Sequence, residues 1–205
     1  MHIECIDDLM VAQLKHICHA SENSVLRSKS SWPLKLEFER GNVFIVTATS
    51  VDDKTRHFCN VLIHPQPLND AQSLAFSNED LDDLGMKLIG HSTMIDESAL
   101  RSGHLTDPQW PELTESVQRL RELRCHLVSS EDITAFRLEE ICKELANKHG
   151  PLDSVLIDSA CLCTELQAIL TQCAGSKAMS KPFTKLAVQL HCAVVIFHWE
   201  QHHPV

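Results

Sequence analysis

The spacing of hydrophobic positions changes period twice along the chain. Ile3, Ile6, Leu9, Met10, Leu14 and Ile17 recur at three- and four-residue steps. This predicts an amphipathic helix over Ile3–Ala20, with Asp7 and Asp8 near the N-terminal end that the helix dipole makes positive. Polar Ser21–Ser31 reads as a connecting loop. Leu34, Leu36 and Phe38 then alternate with Lys35, Glu37 and Glu39, the two-residue period of a strand with one dry face. Gly41-Asn42 predicts a tight hairpin loop, Val43–Thr49 a second strand, and Asp52-Asp53-Lys54 a polar turn. Arg56–Ile63 reads as a third strand, stopped by Pro65 and Pro67, which cannot donate to a ladder.

Downstream the helical period returns. Ser77-Asn78-Glu79-Asp80 opens a helix that carries Leu81, Leu84, Leu88 and Ile89 and ends at Gly90. Asp107-Pro108 and Trp110-Pro111 break the chain and mark a boundary. Further helices are expected over Glu112–Val128, Ile133–Gly150, Leu152–Cys173 and Lys181–His202. The last is apolar almost all round from Leu186 to Trp199, which suits a central helix, although its β-branched run Val194-Val195-Ile196 also admits a strand. The expected fold class is α+β: an N-terminal helix, a three-stranded antiparallel meander, then a mainly helical C-terminal half. The corresponding domains are an α+β unit over 1–105 and a helical subdomain over 106–205, separate or packed with the first as one unit.

Charge and composition narrow the function. The 205 residues hold 18 Lys plus Arg against 28 Asp plus Glu, a net charge of −10. Such a balance argues against non-specific binding to nucleic acid or anionic membrane, which needs a positive surface. Arg119, Arg121 and Arg124 share a helix with Glu115 and Glu122, which neutralise any basic stripe. The first twenty residues lack the apolar core of a signal peptide, and no apolar run reaches the ~18–20 residues of a membrane span. Nine irregularly spaced cysteines without a secretion signal fit a reduced, cytoplasmic location, most thiols acting as small hydrophobes.

The motifs of common chemistry are missing in their strict forms. The chain has no C-x-x-C pair for structural zinc, no G-x-S-x-G nucleophile elbow, no G-x-G-x-x-G and no G-x-x-x-x-G-K-[ST]. Its six glycines all read as turns, caps or helix breaks, so no phosphate-cradling loop, no cofactor and no catalytic residue is expected. Glu79, Asp80, Asp82 and Asp83 lack the alternating spacing of a calcium loop. On a helix, His191, His198 and His202 would stand in single file as an alternative metal clasp. However, Trp199 occupies the position where a zinc hydrolase of the H-E-x-x-H type places its glutamate.

Pairing across Gly41-Asn42 puts Leu34, Leu36, Phe38, Val43 and Ile45 on one face and leaves Phe44 and Val46 on the other, beside Glu37 and Glu39. Either a helix of the same chain covers those two, or they form a docking face for another polypeptide. Met86, Met94 and Ile95 join Phe44 and Val46 as partner-binding candidates, because flexible methionines suit adaptable surfaces. The order helix, meander, helix over about the first hundred residues, together with the acidity, resembles the bacterial secretion chaperones and adaptors. That resemblance implies a non-enzymatic cytoplasmic protein that binds another protein, an effector segment or a complex subunit, without nucleic acid or membrane insertion. The alternative is a metal- or thiol-dependent hydrolase using the C-terminal histidines or a cysteine.

Overall fold

Five apolar runs form parallel strands, and short helices link them across both faces of one sheet. A computed structural model describes residues 2–11, 13, 38–63, 72–173 and 181–199. The strands are β1 (His2–Cys5), β2 (Val43–Ala48), β3 (Gln72–Ser77), β4 (Cys125–Ser129), β5 (Leu152–Asp158) and β6 (Ala193–Trp199). The helices are α1 (6–11), α2 (Val51–Ile63), α3 (Leu81–Ser92), α4 (Glu97–Ser102), α5 (Gln109–Arg121), α6 (Ala135–His149), α7 (Thr164–Cys173) and α8 (Lys181–Leu190). The sheet order is β1-β4-β3-β5-β6-β2. All neighbours are parallel except β1, which runs antiparallel along the β4 edge. Strands from both sides of residue 105 alternate in this single sheet.

The parallel arrangement explains the burial. Leu74, Phe76, Val155, Ile157, Val194 and Ile196 face one helical layer with Leu138, Ile141, Phe183 and Leu186. Ala75, Leu127, Leu156, Val195 and Phe197 face the other, with Phe58, Leu84, Leu88, Leu113 and Val117. A sheet dry on both faces requires near-continuous apolar strands, because neither side of the strand can be polar.

An antiparallel meander is therefore not the architecture. Residues 34–37, the bulk of its first strand, lie outside the described residues. Gly41 does take a left-handed φ of 81°, but it turns the chain onto another partner. Its N–H donates to the Cys192 carbonyl (2.9 Å), and Val194 N–H donates to the Asn42 carbonyl (2.9 Å), which starts β2 parallel to β6. The expected third strand is helix α2: its buried residues Thr55, Phe58, Cys59 and Leu62 follow a helical step, hidden by the β-prone end Val61-Leu62-Ile63.

The C-terminal half is likewise not mainly helical. Cys125–Ser129, Leu152–Asp158 and Ala193–Trp199 are strands whose two-sided burial erases the alternation that identifies a half-exposed strand. The expected final helix stops at Leu190, where His191 adopts a φ of 49° and the Cys192 N–H closes back on the Ala187 carbonyl (3.1 Å). The strand option at Val194–Ile196 is the one realised. At the N-terminus, residues 2–5 form an edge strand where a helix is expected, and 14–20 lie outside the described residues.

Candidate functional site

In an open parallel sheet, binding groups gather beyond the carboxyl ends of the strands, where connections leave in opposite directions. Here that place is between β3 and β5, since β3 leads to β4 on one side while β5, β6 and β2 lie on the other. Register puts Asp158 opposite Phe197, and Phe197 opposite Val46, so the ends of β5, β6 and β2 are level.

Two ion pairs and a histidine lie along this edge. Lys54, in the first turn of α2, extends its Nζ to 2.5 Å from Asp158 Oδ1 at the tip of β5. The two side chains are only 7% and 4% exposed, so the pair is a desolvated one. The same Asp158 oxygen accepts the Ala160 N–H at 2.8 Å, which fixes the 3₁₀ turn Ser159–Cys161. Next along the sheet, Glu79 follows β3 and pairs with Lys87 of α3 at 2.8 Å. Burial pulls the Lys87 ammonium down, but the Glu79 hydrogen bond and charge outweigh it, so its pKa is raised overall. On β6, His198 Nδ1 lies 3.1 Å from Ser159 Oγ.

The turn from β2 into α2 is short. Only Thr49 and Ser50 separate Ala48 from the helix. Ser50 caps it: its Oγ accepts the Asp53 N–H (3.1 Å) and its carbonyl accepts the Lys54 N–H (3.0 Å). The Asp53 carboxylate in turn accepts from Thr49 Oγ1, Ser50 Oγ and Arg56, each at 3.0 Å. The Ser50 and Thr49 hydroxyls, aided by Arg56 and His57, hold its pKa below the ordinary carboxylate value. Asp53 is thus a full anion at neutral pH.

A strand, a short turn, Lys-Thr at the head of a helix, and an aspartate ending a strand one removed in the sheet define the P-loop class of α/β cores. The chain belongs to the family described as the DnaB-like helicase C terminal domain, whose model matches residues 36–198. Solved structures agree on the fold. One described as an ATPase domain superposes with a TM-score of 0.64 at 14% identity, over 80% of this chain and 59% of that one. A DnaB-like replicative helicase solved for its interactions with primase gives 0.63 at 14% identity, over 80% and 40%. The chain thus spans less than two thirds of either structure.

These findings overturn the secretion-chaperone resemblance and the adaptor function drawn from it, the exclusion of nucleic acid as a partner, and the hydrolase alternative. Physically, net charge is a sum over the surface and says nothing of a local contact. Five of the thiols are poor nucleophile candidates: burial raises the pKa of Cys59, Cys125, Cys142 and Cys161 far above the usual thiol range, and Cys192 is pushed up to about 12. His191 and His198 sit before and near the end of one strand, roughly 20 Å apart at 3.3 Å per residue, and His202 lies outside the described residues. No group of three or more His, Cys, Asp or Glu among the described residues could hold a metal.

The partner-binding candidates scatter. Phe44 and Val46 pack partly buried against the chain's own α2–α5 layer, Phe44 edge-on to Phe38 at 5.0 Å. Met86 and Ile95 are core residues, and only Met94 is exposed, at 53%. The site residues that sequence reasoning missed are Lys54, Thr55, Glu79 and Asp158. Two signals could have found them: Lys54-Thr55 following a β-branched strand after five residues, and an apolar run Val155-Leu156-Ile157 ending in Asp158.

Whether these residues suit a nucleoside triphosphate and its magnesium ion can be tested on the turn. The pattern G-x-x-x-x-G-K-[ST] works because glycines let backbone N–H groups wrap the phosphates, while Lys reaches them and Ser or Thr holds the metal with a strand-end Asp. Over Ala48–Thr55 the Lys, the Thr and the distant Asp are present, but Ala48 and Asp53 replace both glycines. Helix begins at Val51, so residues that would wrap a phosphate already belong to α2. The arrangement does not fit the triphosphate.

Proposed function

We propose that this chain serves DNA replication as the core domain of a DnaB-type helicase assembly, acting on DNA alongside further helicase copies in the cytoplasm. The observation that supports it is the family match across 36–198, which spans every parallel strand of the sheet. The sheet order supplies the framework, and the β2–α2 turn lies where members of the P-loop class meet nucleotide. The net charge of −10 is compatible with this reading, because a strand of DNA needs only a local row of cations.

The test is fluorescence anisotropy with a single-stranded oligonucleotide, joined to sedimentation velocity with and without an active DnaB-type helicase. Expected are DNA binding that weakens as salt rises and sedimenting species heavier than the monomer. A chain that stays monomeric, ignores DNA and fails to co-sediment with the helicase refutes the proposal.

A further inference from the structure

We propose that the β2–α2 turn is a self-closed phosphate site, so that this chain neither binds nor hydrolyses nucleoside triphosphate and holds one nucleotide-independent state. The inference deepens the helicase-domain reading and rests on it for the identity of the site.

Three observations carry it independently of sequence likeness. First, side-chain donors around the turn and two of its backbone N–H groups are spent internally. Thr49 Oγ1, Ser50 Oγ and the Arg56 guanidinium all donate to Asp53, and the Asp53 and Lys54 N–H groups are tied to Ser50. Second, the anion they hold is part of the chain. A phosphate entering beside the Asp53 carboxylate meets like charge, and no rotation of a side chain removes the residue from the turn. Third, Lys54, which stands at the position where the P-loop pattern places its phosphate-reaching lysine, is buried against Asp158. Asp158 is also the carboxylate that would share in holding magnesium, so one internal ion pair occupies both roles.

The closure is not a rearrangement that nucleotide could readily reverse. A glycine-rich loop would wrap the phosphates as it stands, whereas here the Asp53 and Lys54 N–H groups in the first turn of α2 are already taken by Ser50.

The experiment uses the full chain, a fluorescent ATP analogue with magnesium, and phosphate-release assays on wild type, Ala48→Gly/Asp53→Gly, Asp53→Asn, and the double variant with Lys54→Ala added. Wild type is expected to show no saturable binding at millimolar nucleotide and no phosphate release above the blank. Ala48→Gly/Asp53→Gly is expected to gain binding by on the order of 100-fold or more, the scale of a like charge removed at close range, and to lose it again with Lys54→Ala. Should the double glycine variant fail to fold, Asp53→Asn, which keeps shape and removes charge, is expected to show the gain in weaker form.

Saturable wild-type binding of the nucleotide overturns the proposal. So does a folded glycine variant that binds no better than wild type, since Asp53 and Ala48 would then not be what closes the turn. DNA binding and sedimentation without nucleotide separate the two readings. A chain that assembles and binds ATP sinks the closed site alone, and a chain that does neither sinks the helicase reading alone.

Discussion

Replacing Lys54 by methionine keeps the length of the side chain and removes its charge, which leaves Asp158 buried at 4% side-chain exposure with the Ala160 N–H still donating to it. Removing one member of a buried ion pair costs about 3–5 kcal/mol, because the survivor cannot recover its hydration. For a chain of this length each kcal/mol corresponds to roughly 2–4 °C, so Tm should fall by about 6–20 °C. Asp158→Asn strands the ammonium instead, but its amide oxygen can still accept the Ala160 N–H, so its loss should lie at the lower end. With both changes no buried charge remains, and the double variant should be no less stable than the worse single one, giving a coupling of at least about 3 kcal/mol.

Urea unfolding followed by circular dichroism measures all four proteins on one scale, with a constant m-value as the check that only stability changed. A lysine kept free for an incoming phosphate predicts the opposite: Lys54→Met would be neutral or stabilising, with coupling near zero. A change within about 0.5 kcal/mol for Lys54→Met therefore refutes the view that the pair is a structural part of this site.

Other perturbations probe the layers around the site. Phe58 is 2% exposed and meets Phe197 edge-on at 5.3 Å, so Phe58→Ala should cost about 3–5 kcal/mol by denaturant unfolding. A Cβ added at Gly85 would lie 3.0 Å from Gln13 Cγ and 3.2 Å from Leu9 Cγ; Gly85→Ala should lift α1 from α3, cost about 1–3 kcal/mol and speed hydrogen exchange in β1 and α1 selectively. His126 lies against His149, ring centroids 4.4 Å apart and planes tilted by 41°, and bonds Gln72, and its pKa is lowered by burial first, then by the His149 and Lys148 charges. The folded state therefore resists a proton the unfolded chain accepts, and this group's contribution to stability is lost as pH falls through 6.5 toward the folded pKa. His126→Gln should flatten the stability profile between about pH 7 and 5; an unchanged slope would show that the histidine pair does not carry it.

The helices on the outer layers were legible where caps and half-burial coincide. Asp80, the last residue of the expected opening Ser77–Asp80, accepts the Asp82 N–H and opens α3, whereas α6 opens at Thr134, which accepts the Arg137 N–H, two residues after the expected cap Ser129–Asp132. Strand β2 was legible as a strand, but its direction was not, because a glycine turn followed by an apolar run is equally compatible with hairpin return and with parallel docking on a distant strand. Strands β4 and β5 were illegible for a different reason, and β6 was legible only as the alternative offered by its β-branched run Val194-Val195-Ile196. Leu152–Asp158 and Ala193–Trp199 are buried on both faces, and an apolar run without alternation carries the same signal as a buried helix. Only length separates them, and these runs of seven adjoin α7 and α8, whose true helical pattern extends the apparent period.

The site was illegible because Ala48 and Asp53 stand at the two glycine positions of the pattern, although Lys54, Thr55 and Asp158 match the rest, and the energetics say why both can be true. The cradle contributes little to the fold: Thr49, Ser50 and Asp53 lie at or near the surface, while stability comes from the two apolar layers that pack against the sheet. Substitutions in the turn can therefore erase phosphate binding at almost no structural cost. Lys54 and Asp158 differ, since they sit below the turn in a place from which water is excluded. Either one alone would be an uncompensated buried charge, and each is tolerable only because the other is there. A motif search weighted on glycine reads the part of the site that this fold can lose, whereas one weighted on a strand-end aspartate and a first-turn lysine reads the part it must keep as a pair or replace as a pair.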